Sequence, residues 1–182
     1  LSDAGLAHVA NLDNLERLNL NFTRVSDAGL SHLQGLTSLT WLGLEATAVT
    51  DDGLQHLQGM KELQYLDLNG TKVTGAGLAH LQGLQLKTLY LDLSPTNDAG
   101  VEILQDWSSL NWLGLQGTQV TDSGLKHLEG LAGLTRLNLK QTKVTAVGVK
   151  KLADALPQCR IEWDGGVIEP QAADPAMPQP AP

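Results

Sequence analysis

Four aromatic rings stand at comparable points of successive segments of this chain: Trp41, Tyr65, Tyr90 and Trp112. Carboxylates lie near them at Glu45, Asp67 and Asp92, and Arg17 and Arg136 stand outside them. Large rigid rings bury apolar area at low entropic cost, and they anchor many interfaces. Neighbouring carboxylates favour a basic or polyhydroxyl partner. With the Asn69 amide they could hold calcium, or two of them could form a glycosidase pair. A solvated acidic face is the plainer reading. The five histidines (His8, His32, His56, His80 and His127) share one repeat position, which invites a metal hypothesis. Recurrence with every unit favours a packing role, half-buried with a ring nitrogen bonded to backbone. Cys159 is the single cysteine, so it reads as a small buried residue and no disulfide framework exists. No nucleophile elbow, phosphate loop, H-E-x-x-H or kinase signature occurs, and serines lie at caps and turns. The sequence therefore points to no enzyme, and it assigns no catalytic residue, metal or cofactor.

What must position these residues is one stretch, Leu39 to Gly59, copied from end to end. It opens with L-x-x-L-x-L, whose alternation is that of a strand with one buried face. A turn with one hydroxyl follows, then T-D-D-G-L-Q-H-L-Q-G, a short helix. Thr50 sits at its N-cap, Asp51 at the positive end of its dipole, and Gly59 where a left-handed exit is expected. The register is marked by Gly5, Gly29, Gly53, Gly77, Gly100, Gly124 and Gly148, a step of 24 residues with one step of 23. The cap series reads Ser2, Ser26, Thr50, Thr74, Asn97, Thr121 and Thr145. The stop series, Asn11, Gly35, Gly59, Gly83, Asp106 and Gly130, tolerates a left-handed backbone throughout. The Thr23, Thr47, Thr71, Ser94, Thr118 and Thr142 series places a hydroxyl where buried turn amides need partners.

The pattern L-x-x-L-x-L-x-x-T-x-V-T-D-x-G-L-x-H-L-x-G-L resembles a leucine-rich repeat, of the kind found in a group of bacterial repeat proteins with T-D-A-G-L opening the helix. The resemblance implies an α/β solenoid, a curved horseshoe with parallel strands on the concave face and short helices on the convex face. Residues 1–164 would form it, as six full repeats with an N-terminal half repeat and a C-terminal cap. The irregular fifth unit carries Pro95, Thr96, Ile103 and Trp107, the last filling space left by the shortened neighbour. A helix from about Ala146, stopped by Pro157, and an edge strand over Cys159–Trp163 form the cap. Gly165-Gly166 is expected to break the structure, leaving 165–182 as a Pro/Ala-rich tail or linker. Leu1 falls mid-unit, as in a piece of a longer or processed protein. The resemblance also implies a bacterial source and favours an extracytoplasmic setting.

On the concave face three rows alternate with the leucines. The first reads Arg17, Trp41, Tyr65, Thr88, Trp112, Arg136; the second runs Asn19, Gly43, Asp67, Tyr90, Gly114, Asn138. The third reads Asn21, Glu45, Asn69, Asp92, Gln116, Lys140. Four of the seven aromatics thus fall on four consecutive strands, a patch roughly 15 Å wide at about 4.8 Å per strand. Gly43 and Gly114 leave a gap beside each indole, for the ring to lie flat or a partner to reach in. A net charge of −8 argues against nucleic acid and anionic membrane surfaces, and no stretch is apolar enough to span a bilayer. The expected function is a non-catalytic module binding a protein or peptide through Trp41, Tyr65, Tyr90 and Trp112 as anchors and Glu45, Asp67 and Asp92 as selectors. The alternative is a scaffold or accessory subunit bound through the N-terminal edge or the tail. Carbohydrate binding is the third reading.

Overall fold

The computed structural model describes residues 2–171. Leu1 and residues 172–182, with most of the Pro/Ala-rich tail, lie outside the described residues. Eight short strands form one sheet in chain order: β1 (Arg17–Asn19), β2 (Trp41–Gly43), β3 (Tyr65–Asp67), β4 (Thr88–Tyr90), β5 (Trp112–Gly114), β6 (Arg136–Asn138), β7 (Arg160–Trp163) and β8 (Gly166–Ile168). The pairings from β1 to β7 are parallel. In each the middle residue meets its counterpart, so Leu18, Leu42, Leu66, Leu89, Leu113, Leu137 and Ile161 form one file. Behind it the helix leucines, such as Leu54 and Leu57, complete a core of fully buried apolar residues. Repeats of this kind bury their apolar faces only against one another.

The turns follow rules that the repeat itself exposes. Each hydroxyl of the Thr23 series donates to the carbonyl three residues earlier, for example Thr71 to Leu68 at 2.6 Å and Ser94 to Leu91 at 2.6 Å. Thr47, Thr71, Ser94 and Thr118 are buried, so these bonds satisfy carbonyls that water cannot reach. The left-handed residues, however, are not where the helices end. Gly83 alone of the stop series has positive φ, at the shortened step, where one residue fewer must reverse the chain. The recurrent left-handed position is instead the turn after each strand: Phe22, Ala46, Gly70, Leu93, Gly117 and Gln141, all at φ between 53° and 69°. The helix exits keep negative φ, right-handed helical at Gln34, Gln58 and Glu129 and extended at Gln82.

The cap residues also do more than expected. Thr50, Asn97, Thr121 and Thr145 accept from the first-turn amides as N-caps. Ser2 and Ser26 make no such bond. The larger role is between repeats: the Asp at the first helical position accepts both the N–H and the hydroxyl of the next repeat's cap residue. Asp3 takes Ser26 this way (2.8 and 2.7 Å), Asp27 takes Thr50 (2.8 and 2.7 Å), Asp98 takes Thr121 (2.7 and 2.6 Å) and Asp122 takes Thr145 (2.8 and 2.6 Å). Asp51 takes Thr74 likewise, and also the Gly77 amide. The Ser26 hydroxyl and amide hold the Asp3 carboxyl below its ordinary value. The series breaks once, where Gly75 replaces Asp. There the backbone at φ +108° packs so closely on Gly100 that a Cβ on Gly75 would run into the Gly100 Cα.

The C-terminal end differs from the sequence reading. The chain does not leave the fold at Gly165-Gly166. The two glycines turn it back, and β8 pairs antiparallel with β7, Ile161 opposite Ile168. Gly165 is required by the Trp163 ring, which occupies the space a Cβ would take. Ile161 is fully buried beneath this hairpin and Trp163 packs on the same core. The longer helix (Ala146–Ala155) precedes it, and Cys159 is buried with its thiol pushed up to about 12 by desolvation. Trp107 is buried as well, 8% exposed, but its Nε1 has no acceptor.

Two stability outcomes follow. Asp98→Ala removes a carboxylate that holds two donors of the next repeat, and is expected to lower unfolding free energy by about 1–3 kcal/mol in urea titration. Trp107→Phe removes an unpaired buried donor together with some volume, so it should stay within about 1 kcal/mol of wild type, whereas Trp107→Ala should cost about 3–5 kcal/mol.

Candidate functional site

Strand alternation sends every second side chain to the open face, and the one-to-one register then brings the rings into a file. Trp41 stacks on Tyr65 with centroids 5.0 Å apart and planes 16° from parallel. Tyr65 and Tyr90 are 5.5 Å apart, and Tyr90 and Trp112 5.5 Å apart, both tilted. Tyr90 comes from the second row, opposite Asp67, and leans across beside the small Thr88 of its own strand. Arg17 caps one end, its guanidinium 5.3 Å from the Trp41 ring centre, and Arg136 caps the other at 4.8 Å from Trp112. The result is one continuous ladder, Arg–Trp–Tyr–Tyr–Trp–Arg, with all four rings half-buried.

The glycines beside the indoles are not open gaps. A Cβ on Gly43 would meet Asn21 Oδ1 at 2.5 Å and the Trp41 ring at 2.7 Å, so the neighbouring repeat's carboxamide and the indole share that space. A Cβ on Gly114 would meet the Asp92 carboxylate at 2.8 Å and the Tyr90 ring at 3.0 Å. The Gly114 space is likewise filled from the neighbouring repeat, and not by Trp112.

The carboxylates sit beside the ladder in unequal settings. Asp67 is only 6% exposed, and its Oδ1 accepts the Asn69 N–H at 3.0 Å. Asp92 is half-buried and accepts the Gln116 N–H at 2.6 Å. Glu45 is half-buried, its backbone N–H held by Asn21 at 2.9 Å. Desolvation raises all three carboxyl groups above their ordinary values, and the charge of Asp67 adds to the rise at Glu45 and Asp92. Burial, with Asp67 nearby, pushes the Tyr65 phenol up to about 12, and burial likewise raises Tyr90. Among the described residues the ion pairs involve other groups: Lys140–Glu162, Lys150–Asp154, Lys151–Glu129 and Arg160 with Glu162 and Glu169. The strip of Glu45, Asp67 and Asp92 is thus negative and without a protein cation.

The histidines do not pack as expected. His8, His32 and His80 are exposed, and His56 and His127 half-buried. In a 3₁₀ turn residues three apart share a face. Leu54 and Leu57 take the buried one, which turns His56 outward to the Gln34 side chain. Among the described residues no group of three His, Cys, Asp or Glu is arranged to hold a metal. No helix there is long and apolar enough to cross a membrane. Two exposed residues were not singled out from sequence: Phe22 (73% exposed) and Leu93 (65% exposed), both in the left-handed turn row bordering the third row. The available signal was an apolar side chain at a position that other units fill with Ala, Gly or Gln.

This is a leucine-rich repeat fold. A leucine-rich repeat family model matches residues 12–33 and 134–153. No curated protein sequence matches the chain. Among solved structures, an internalin (inlF) from Listeria monocytogenes superposes with TM-score 0.67 at 23% identity, over 87% of this chain and 50% of that one. A leucine-rich repeat protein from Leptospira interrogans gives 0.68 at 24% identity, over 85% and 38%. An internalin C2 (inlC2) from Listeria monocytogenes gives 0.58 at 24% identity, over 88% and 73%. The chain thus spans half or less of the first two. The leucine-rich repeat solenoid expected from sequence is the architecture found, with bacterial repeat proteins as its structural neighbours.

The raised carboxyl groups have a pH consequence. A carboxyl whose folded pKa lies above its unfolded value favours folding when protonated, so its contribution is present below the unfolded value, 3.8 for Asp67, and is lost as pH rises through the folded one. Asp3 and Glu162, whose values are lowered, act in the opposite sense. Asp67→Asn keeps an oxygen for the Asn69 amide and removes the buried charge. It is expected to be more stable than wild type at neutral pH, with the difference shrinking on acidification toward 3.8. Paired denaturation curves across that range measure this.

Proposed function

We propose that this domain is a non-catalytic recognition module that binds a protein or peptide on its concave sheet face. The observation that carries the reading is the unbroken ladder from Arg17 through Trp41, Tyr65, Tyr90 and Trp112 to Arg136. No strand requires large rings on its open face, and half-buried aromatic groups on a rigid sheet suit interface anchors. Glu45 and Asp92 are the selectors within reach of a partner. Asp67 acts from beneath them through its charge. The stacking leaves little ring face free, since Trp41 and Tyr65 cover one another and the arginines cover the ends. That geometry favours contact with a protein over the stacking of a sugar.

A second surface has its own observation. At the β1 edge Leu12 is 48% exposed, and Leu15 and Leu18 are half-buried, whereas their counterparts Leu36, Leu39 and Leu42 are fully buried. Asn11 to Leu15 line a hollow of about 390 Å³ there. A scaffold role through this edge is the alternative.

The two readings separate in a capture experiment from the native source. Wild type is compared with Trp41→Ala/Tyr65→Ala/Tyr90→Ala/Trp112→Ala, once both give folded far-UV spectra. Partner capture by wild type and its loss from the variant is the expected result. Equal capture by both would transfer the function to the β1 edge.

A further inference from the structure

The chain's one phenylalanine is spent on a position that disfavours it. Phe22 and Leu93 occupy the left-handed turn at φ 57° and 59°, where a bulky side chain is strained, and both are largely exposed. The fold itself does not ask for them. Gly70 and Gly117 fill the same position in other repeats with the same backbone, Gly70 and Leu93 each donating their N–H to the next repeat at 2.8 and 2.7 Å. Between the two apolar residues lie exposed Ala46 and Gly70, a low saddle on the rim. Leu93 leans away from it, over Gly117, where a Cβ would come within 2.7 Å of its Cδ2. Facing the saddle on the sheet side is the negative strip of Glu45, Asp67 and Asp92, which no Lys or Arg of the described residues pairs.

The spacing names the complement. The turns that carry Phe22 and Leu93 are three repeats apart, about 14 Å between their backbones at about 4.8 Å per strand. An extended peptide covers about 13–14 Å in four residues, and its residues 1, 3 and 5 share one face. We infer that the rim between Phe22 and Leu93 receives an extended segment of a partner polypeptide with the pattern apolar-x-basic-x-apolar, the apolar residues against Phe22 and Leu93 and the Lys or Arg at Glu45, with the charge of buried Asp67 beneath it. The inference rests on the reading that the concave face binds protein, and it extends the footprint from the aromatic ladder to the rim. It assigns charge recognition to the carboxylates and leaves the ring faces to one another.

Three end-blocked peptides test it against the full chain: Leu-Thr-Lys-Thr-Leu, the same peptide with Glu for Lys, and the Lys peptide with Ser for both Leu. Affinity is read from Trp fluorescence and from amide shifts in NMR titration. The Lys peptide is expected to bind about tenfold or more tightly than either control. Phe22→Gly/Leu93→Gly should weaken it about tenfold while melting at or above the wild-type temperature, since glycine accepts the left-handed turn without strain. Glu45→Gln should remove the preference for Lys over Glu. Equal binding of the Lys and Glu peptides, no binding by any peptide at millimolar concentration, or full affinity in the Phe22/Leu93 variant would each overturn the inference. If the aromatic variant loses its partner in the capture experiment while these results go the wrong way, only the rim assignment fails. If capture survives the loss of the rings, the concave reading itself fails.

Discussion

Residues one repeat apart in sequence lie one strand apart in space. Everything else in this molecule depends on that constraint. It comes from the parallel pairing of β1 to β7, in which Leu18, Leu42, Leu66, Leu89, Leu113 and Leu137 each sit opposite the next. A leucine file of this kind buries its members only if the step is held, because a slip of one residue would turn the buried face outward. The carboxylate that takes the next repeat's cap N–H and hydroxyl holds the same step on the helix side. One step of 23 residues is accommodated because the change is confined to a loop, where Gly83 supplies a left-handed turn.

The same constraint turns single residues into surfaces. A ring on one strand has little meaning alone, but rings on β2 to β5 at a fixed register become a ladder with arginines at its ends. A carboxylate beside another, one strand away, raises its neighbour's affinity for a proton, as Asp67 does for Glu45 and Asp92. Such a strip is a local cost to folding that the leucine core offsets. The exposed, left-handed Phe22 and Leu93 belong to the same class of observation, with backbone strain in place of charge.

The C-terminal end of the sheet shows how the stacking is closed. At β7 the chain folds back as a hairpin, places Trp163 on Gly165 and keeps Ile161 fully buried. A hairpin of this kind closes such a stack.

Residue order alone carries the repeat, its period, the buried leucine positions, the turn hydroxyls and the membership of the three face rows. Each of these depends on periodicity, and periodicity is written in residue order. Whatever depends on neighbours from other repeats is set only when the repeats stack. Stacking placed the left-handed turn after the strand and not after the helix, since the strand must turn sharply back while a helix exit need not. It gave Asp51 and its equivalents a partner in the next repeat, where sequence suggested only a dipole. It turned the histidines outward, closed the Gly43 and Gly114 gaps with polar side chains of the preceding repeat as well as aromatic rings, and extended the cap through β8. It also separated the reachable Glu45 and Asp92 from the buried Asp67, because burial is set by what the adjoining strands place above a side chain.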